Sequence, residues 1–241
     1  MKPVAIFRHS PSEGPGYFAT FLEAHRIPWR LIAIDIDDAI PQTPAAFSGL
    51  AFMGGPMSVN DSLMWIEPVC HLIRTAVHNN VPVIGHCLGG QLFSKALGGT
   101  VCANPVKEIG WSTLAVEDGA IARDWLGDAA DADGNVTAFQ WHGETFSVPP
   151  GATKILRNSW CENQAVVLGP HLAMQCHVEM TPALIRTWCE AWHSEINSAK
   201  DRPACVQTLG EIDGLLATNV PKMRRVADQL YRRWTGGLTP G

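Results

Sequence analysis

The sequence predicts an α/β protein: an open, mostly parallel, twisted sheet with helices on both faces, plus a short helical extension at the C-terminus. Three observations predict it. Short apolar runs alternate with segments of helical period along the first hundred residues. The run Val81 to Gly85 is apolar throughout and bounded by turn residues, as a strand buried on both faces requires. The resulting βαβαβα order joins neighbouring strands through crossover helices, which makes them parallel.

In chain order, Pro3 to His9 reads as a strand, Tyr17 to His25 as a helix and Trp29 to Asp35 as a second strand. Ser48 to Met53 is a third strand, closed by Gly54-Gly55-Pro56. Asn60, Asp61 or Ser62 is expected to cap a helix running through His78, with Pro68 tolerated in its first turns. After Val81 to Gly85, Leu88 to Leu97 fits a helix stopped by Gly98-Gly99. From Glu108 onward the character changes. Glu108 to Val116, Val136 to Trp141, Gln164 to Leu168 and His171 to His177 read as strands joined by short turns. Thr181-Pro182 is a helix start, an N-cap followed by proline at the first helical position. Residues 1–196 are expected to form the catalytic domain. Residues 197–241 form the extension, with one or two helices such as Met223 to Trp234, packed on the same domain.

Composition restricts what such a domain does. Apolar residues make up 46% and charged residues 17% of the 241, which excludes a disordered chain. Eighteen Lys plus Arg against 23 Asp plus Glu leave a net charge of −5, so no electrostatic case for nucleic-acid binding exists. A small-molecule substrate is expected. The uncharged stretches Ala39 to Asn60 and Thr75 to Ser94 are broken by prolines, glycines, asparagines and histidines, so neither reads as a membrane span. The apolar run Val4 to Phe7 stops at Arg8, too short for a signal-peptide core, and a cytoplasmic location is expected. The seven cysteines are odd in number and lack CxxC spacing, as in a chain whose thiols stay reduced.

One cysteine stands in a different setting. In Gly85-His86-Cys87-Leu88-Gly89-Gly90-Gln91, a Gly-x-Cys-x-Gly signature joins an apolar strand to a helix. This is the context of a nucleophile elbow, in which small residues on either side allow a turn sharp enough to expose the side chain. The helix N-terminus behind Cys87 favours a thiolate, and the Leu88 N–H is placed to meet a developing oxyanion. A nucleophilic cysteine needs a base, and the base needs an orienting group. In Cys176-His177-Val178-Glu179, an extended chain puts His177 and Glu179 on one face, where the carboxylate can hold the imidazole. Met53-Gly54-Gly55-Pro56 lets backbone N–H groups approach a substrate closely and suits the second half of an oxyanion hole.

These three segments, in this order, resemble the class I glutamine amidotransferases, the type with a Cys-His-Glu triad, over about Met1 to Ile196. The resemblance is to the stand-alone subgroup similar to the amidotransferase half of GMP synthase, which also includes plant γ-glutamyl peptidases. It implies a flavodoxin-like fold and catalysis by Cys87, His177 and Glu179. It further implies an oxyanion hole from Gly55 and Leu88, with Gly54, Gln91, Trp141 and His142 on the substrate. It implies no cofactor and no metal, and a possible synthetase subunit as the partner that receives ammonia. Two positions depart from the family pattern: Cys176 replaces the usual aromatic residue before the histidine, and Val178 replaces the proline after it. Gln140-Trp141-His142-Gly143-Glu144 stands where biosynthetic members carry Ser-His-Gly-Asp.

Other readings remain open at this level. A γ-glutamyl peptidase would use the same residues without an acceptor. A dienelactone-hydrolase-like α/β-hydrolase would take its acid from Asp128, Asp131 or Asp133, between nucleophile and histidine. A metal site from Cys161, His171, Cys176 and His177 matches no zinc spacing, so no metal is expected. A non-enzymatic subunit acting through a partner is the remaining alternative, with the arginine-rich tail from Ala199 onward as its docking surface.

Overall fold

The structure, a computed structural model, describes residues 1–197 and 203–238. Its frame is a nine-stranded mixed sheet in the order β2-β1-β3-β4-β9-β8-β7-β5-β6. β1 (Val4–Arg8), β2 (Trp29–Ala33), β3 (Gly49–Phe52), β4 (Val83–His86) and β9 (His171–Met174) pair in parallel. β8 (Ala165–Leu168), β7 (Thr153–Arg157), β5 (Val101–Val116) and β6 (Asn135–Phe146) continue the sheet antiparallel. The helices are α1 (Gly16–Ala24), α2 (Ile66–His78), α3 (Leu88–Ala96), α4 (Ala120–Leu126), α5 (Pro182–Ala191), α6 (His193–Asn197), α7 (Leu209–Gly214) and α8 (Leu216–Thr235). The α/β architecture expected from the sequence is the one observed.

Alternation along the central strands makes two cores. Val4 and Ile6 of β1, Ala51 of β3 and Ile84 of β4 face one side, where α1, α5 and α8 cover them. Ala5, Phe7, Phe52 and Val83 face the other, under α2 and α3. All of these side chains are buried, so the parallel half is apolar on both faces. The extension is integral to the first core: Val226, Leu230, Tyr231 and Trp234 of α8 are buried among Phe18 and Phe21 of α1. Residues 198–202 and 239–241 lie outside the described residues, so the expected beginning of the extension near Ala199 and Lys200 falls there.

Several element boundaries are corrected. The helix ending at His78 starts at Ile66 with Trp65 at its N-cap, so none of Asn60, Asp61 and Ser62 caps it. The polar side chains before it are used elsewhere: Asp61 accepts from the Ser58 N–H, and Asn60 donates to the Val101 carbonyl. β5 starts at Val101 rather than Glu108 and carries a register break between Ala103 and Glu108, where Pro105 removes a donor. The strand expected to end at His177 ends at Met174. Beyond it the chain leaves β4 and bridges to β6 through Phe139 N–H to His177 O (3.0 Å) and His177 N–H to Phe139 O (2.8 Å). β7 and α4 lie where no element was expected. Among the described residues no helix is long and apolar enough to cross a membrane.

Candidate active site

Cys87 joins β4 to α3 with φ 48° and ψ −106°, a conformation that L-residues avoid unless the surroundings impose it. Glycines impose it. A Cβ on Gly85 would lie 2.4 Å from Gly89 backbone atoms, and one on Gly89 would lie 2.1 Å from the Phe52 carbonyl oxygen. A Cβ on Gly90 would lie 2.4 Å from the Met174 carbonyl oxygen. The small residues of the motif therefore let α3 start hard against β3 and β9, which is why the turn is this tight. The Cys87 N–H donates to Met174 O (2.8 Å), fixing the turn to β9. On the sulfur side, the Gln175 amide donates to Cys87 Sγ at 3.5 Å. Gln91, one turn along α3, donates in turn to Gln175 Oε1 (3.2 Å).

His177 reaches the same point from the segment after β9. Its Nδ1 is 2.6 Å from Glu179 Oε1, and the second oxygen of Glu179 accepts the Val178 N–H at 3.0 Å. Nδ1 therefore donates to the carboxylate, which leaves Nε2 for the cavity. Nε2 is buried and has no hydrogen-bond partner among the described residues. Burial alone would lower the imidazole pKa, but the Glu179 and Cys87 charges and the hydrogen bond to Glu179 override it, and the result lies well above 6.5. Burial likewise pushes Glu179 up. The His177 and His86 charges and the hydrogen bonds prevail, holding it at about 2. The expected same-face placement of His177 and Glu179 is thus realised as a buried, charge-assisted pair.

A cavity of about 240 Å³ opens above Cys87. Of the residues singled out from sequence, Cys87, His177, Gly55, Gln91, Trp141 and His142 line it. Glu179, Leu88 and Gly54 are not among its lining residues. Leu88 packs toward Gly55, since a Cβ there would lie 2.6 Å from a Leu88 methyl. Both ring nitrogens of His142 face oxygens, Nδ1 the Glu144 carbonyl at 2.9 Å and Nε2 the Glu108 carboxylate at 3.0 Å. Trp141 forms an aromatic wall with Trp188 and Trp192, at centroid distances of 6.1 and 5.5 Å. Trp188 stands edge-on to His177 at 4.9 Å.

The sequence reading missed Glu13, Trp188, Trp192 and Glu195, which also line the cavity. The signal for Glu13 was its place in the turn after β1, at the carboxyl end of a central parallel strand. Asp128, Asp131 and Asp133 do not line the cavity, and Asp131 instead caps the turn before β6 through the Asp133 and Asn135 N–H groups. Glu108, His142 and Cys161 bring potential metal-ligand atoms within 4.8 Å of one another. Their partners are already supplied: Glu108 accepts from Asn158 and Gln164 as well as facing His142, and Cys161 pairs with Thr145. Cys161, His171, Cys176 and His177 form no such group among the described residues.

Comparison with known proteins identifies the family. The crystal structure of a glutamine amido transferase from Methylobacillus flagellatus superposes with a TM-score of 0.95 at 44% identity, covering 100% of this chain and 97% of that one. The glutamine amidotransferase-like protein YfeJ of Salmonella typhimurium is 27% identical over 202 residues, 80% of this chain and 82% of its own length. The glutamine-hydrolysing GMP synthase of Aromatoleum aromaticum is 27% identical over 139 residues, which are 56% of this chain and 26% of the synthase. The chain thus corresponds to about a quarter of that longer protein. The family profile of glutamine amidotransferase class I matches residues 22–187, well over half of the sequence, and the chain belongs to that family.

Proposed function

We propose that this protein hydrolyses the γ-amide of glutamine through a γ-glutamyl thioester on Cys87, releasing glutamate and an amine-nitrogen product. The observation that carries the reading is the strained Cys87 turn opening into one cavity with His177, itself 2.6 Å from Glu179. In this scheme Cys87 Sγ attacks the γ-carbon, and the oxygen that gains charge is held by the N–H groups of Gly55 and Leu88. His177 Nε2 gives its proton to the departing nitrogen, the C–N bond breaks and the thioester remains. Water then attacks the thioester, His177 takes its proton, and the sulfur leaves as glutamate forms. Gln91, Trp141, His142 and the Gly54 backbone hold the amino-acid end of the substrate. Glu179 keeps the imidazole in one tautomer and stabilises its charged form. Residues 1–196 are the catalytic domain in this reading and residues 197–241 an extension docked on it, as the burial of α8 supports.

The test is glutamate release from L-glutamine by the full chain, with Cys87→Ala as control. Steady release abolished in the variant is the expected result, and no release from glutamine would overturn the free-glutamine reading. The tryptophan wall favours one second reading, a γ-glutamyl compound with a bulkier leaving group, so γ-glutamyl peptides belong in the same assay. A synthetase subunit as ammonia acceptor is the proposed partner, by analogy with the GMP synthase relatives. Addition of that subunit should then raise the glutaminase rate.

A further inference from the structure

Glu13, a carboxyl of the cavity that the scheme above leaves idle, differs from Glu144 and Glu195 on the same wall in being buried. It is only 5% exposed, yet it lines the cavity with Cys87 and His177. Its location is set by a glycine. A Cβ on Gly54 would lie 1.9 Å from Glu13 Oε2 and 3.4 Å from His177 Cε1, so the carboxyl fills the space that only glycine leaves, at the edge of the imidazole. The loop that carries Glu13 is fastened at both ends, to α5 and to the triad segment. Trp188 Nε1–H donates to the Ser12 carbonyl (2.8 Å), and the Tyr17 N–H donates to the Glu179 carbonyl (2.7 Å). Gly16, with φ 49°, lets that second contact form, since a Cβ there would lie 2.3 Å from the same carbonyl. Such double anchoring is what preorganised groups at reaction centres show.

We propose that Glu13 is the leaving-group residue of this site, a carboxylic acid that receives the amine beside His177 and gives it a second proton, so that nitrogen departs as an ammonium ion. The proposal rests on the glutaminase reading above. The proton balance is simple. His177 Nε2 supplies the first proton as the C–N bond breaks, giving neutral ammonia next to the new thioester. The Glu13 O–H bond then breaks, its proton forms an N–H bond, and a carboxylate and an ammonium ion remain. Solvent reprotonates Glu13 once the ammonium ion has left. Neutral ammonia is a strong nucleophile and would re-attack the thioester, whereas ammonium cannot. Protonation therefore commits the thioester to hydrolysis, whichever acceptor takes the nitrogen afterwards.

The electrostatics agree. Burial raises the Glu13 carboxyl to about 7, opposed by the His177 charge and reinforced by Glu179, so the acid holds a proton at neutral pH and still yields it to an amine, a far stronger base. The other titratable groups around it are Cys87 on α3, and His142, Glu144, Lys107 and Glu195 on the remaining cavity wall. His9, at the end of β1, is lowered to about 4 by burial and stays neutral in this range.

The experiment compares L-glutamine with γ-glutamyl-p-nitroanilide, whose leaving group is too weak a base to take a second proton. With Glu13→Gln, kcat/KM for glutamine should fall at least tenfold more than kcat/KM for the anilide. In the wild-type enzyme the glutamine-to-anilide ratio should decline as pH rises through about 7, and in the variant that decline should disappear. Equal losses on both substrates, or a pH-independent wild-type ratio, would overturn the proposal while leaving the glutaminase reading intact. Failure of the wild-type enzyme to act on either substrate would overturn both.

Discussion

Replacing Glu179 by Gln removes the charge that organises the site while keeping its shape. A buried carboxyl held at about 2 rather than at 4.5 carries about 3 kcal/mol of differential interaction between its ionised and neutral forms. The His177 charge is the largest of the interactions that lower Glu179, so loss of the Glu179 charge should leave the imidazolium less stable. Loss of tautomer control adds to this, and amide-for-acid exchange in a comparable serine triad costs about 10⁴ in kcat. We therefore expect Glu179→Gln to reduce kcat for glutamate release by about 10² to 10⁴, with KM changed much less. The alkylation rate of Cys87 by iodoacetamide should fall in the variant, because the imidazolium beside it is less stable. Turnover within threefold of wild type, with an unchanged alkylation rate, would refute the assignment of Glu179 as the group that holds His177. The same pair predicts acid behaviour. Because the folded-state pKa of Glu179 is depressed, its stabilisation is complete above about 4.5 and is lost as pH falls towards 2. Urea midpoints should drop in that window for wild type and less for the variant.

Three further outcomes follow from the packing. Gly89→Ala puts a methyl 2.1 Å from the Phe52 carbonyl oxygen, a backbone atom that cannot yield, so a loss of more than about 2 kcal/mol and a melting temperature lower by at least about 5 °C are expected by calorimetry. Tyr231→Phe removes the hydroxyl 3.0 Å from His86 Nε2 in a fully buried pair, and should cost about 1–2 kcal/mol in chemical denaturation. Glu13→Gln should stabilise the fold at alkaline pH. The raised carboxyl makes wild-type stability decline as pH rises from about 4.5 to about 7, so the variant's advantage should grow over that interval towards about 3 kcal/mol and be absent at pH 4.

What the sequence disclosed and what it withheld divide along physical lines. The parallel strands were legible because burial on both faces leaves unbroken apolar runs, as in Val83 and Ile84. The Cys87 turn was legible because close backbone approach admits only glycine at 85, 89 and 90, and that requirement is written directly into the sequence. β7, Thr-Lys-Ile-Leu-Arg, was not legible. Its hydrophobic content is two residues, and its place in the sheet is set by β8 and β5 rather than by its own pattern. The start of α2 was misplaced because the polar residues that resemble caps are used elsewhere: Asn60 donates to the Val101 carbonyl of β5, and Asp61 accepts the Ser58 N–H in a local turn. For the site, local motifs revealed the residues that need special backbone geometry. Glu13, Trp188 and Trp192 need only to be near, and nearness is a property of the fold.

The residues that sequence reading missed also lie outside the span that the family profile matches. The match to the family spans residues 22–187 and contains Cys87, His177 and Glu179 together with Gly55, Leu88 and Gln91. Glu13 precedes that span, and Trp188, Trp192, Glu195 and α8 follow it. The flanks are not passive. The Glu13 loop hydrogen-bonds to the triad segment and to Trp188, and Tyr231 of α8 reaches His86, whose Nε2 lies 4.0 Å from Glu179 Oε2. In the proposed scheme the matched span thus carries the attacking sulfur, its base and the oxyanion donors. The flanking segments add Glu13, Trp188, Trp192 and Glu195 to the cavity wall, and the proposed scheme puts Glu13 on the leaving nitrogen. Selectivity among γ-glutamyl amides should therefore respond to exchanges in residues 10–16 and 188–195 more than to exchanges in the matched span. Chimeras that swap only those flanks with the Methylobacillus flagellatus protein should move leaving-group preference while preserving the rate of Cys87 alkylation.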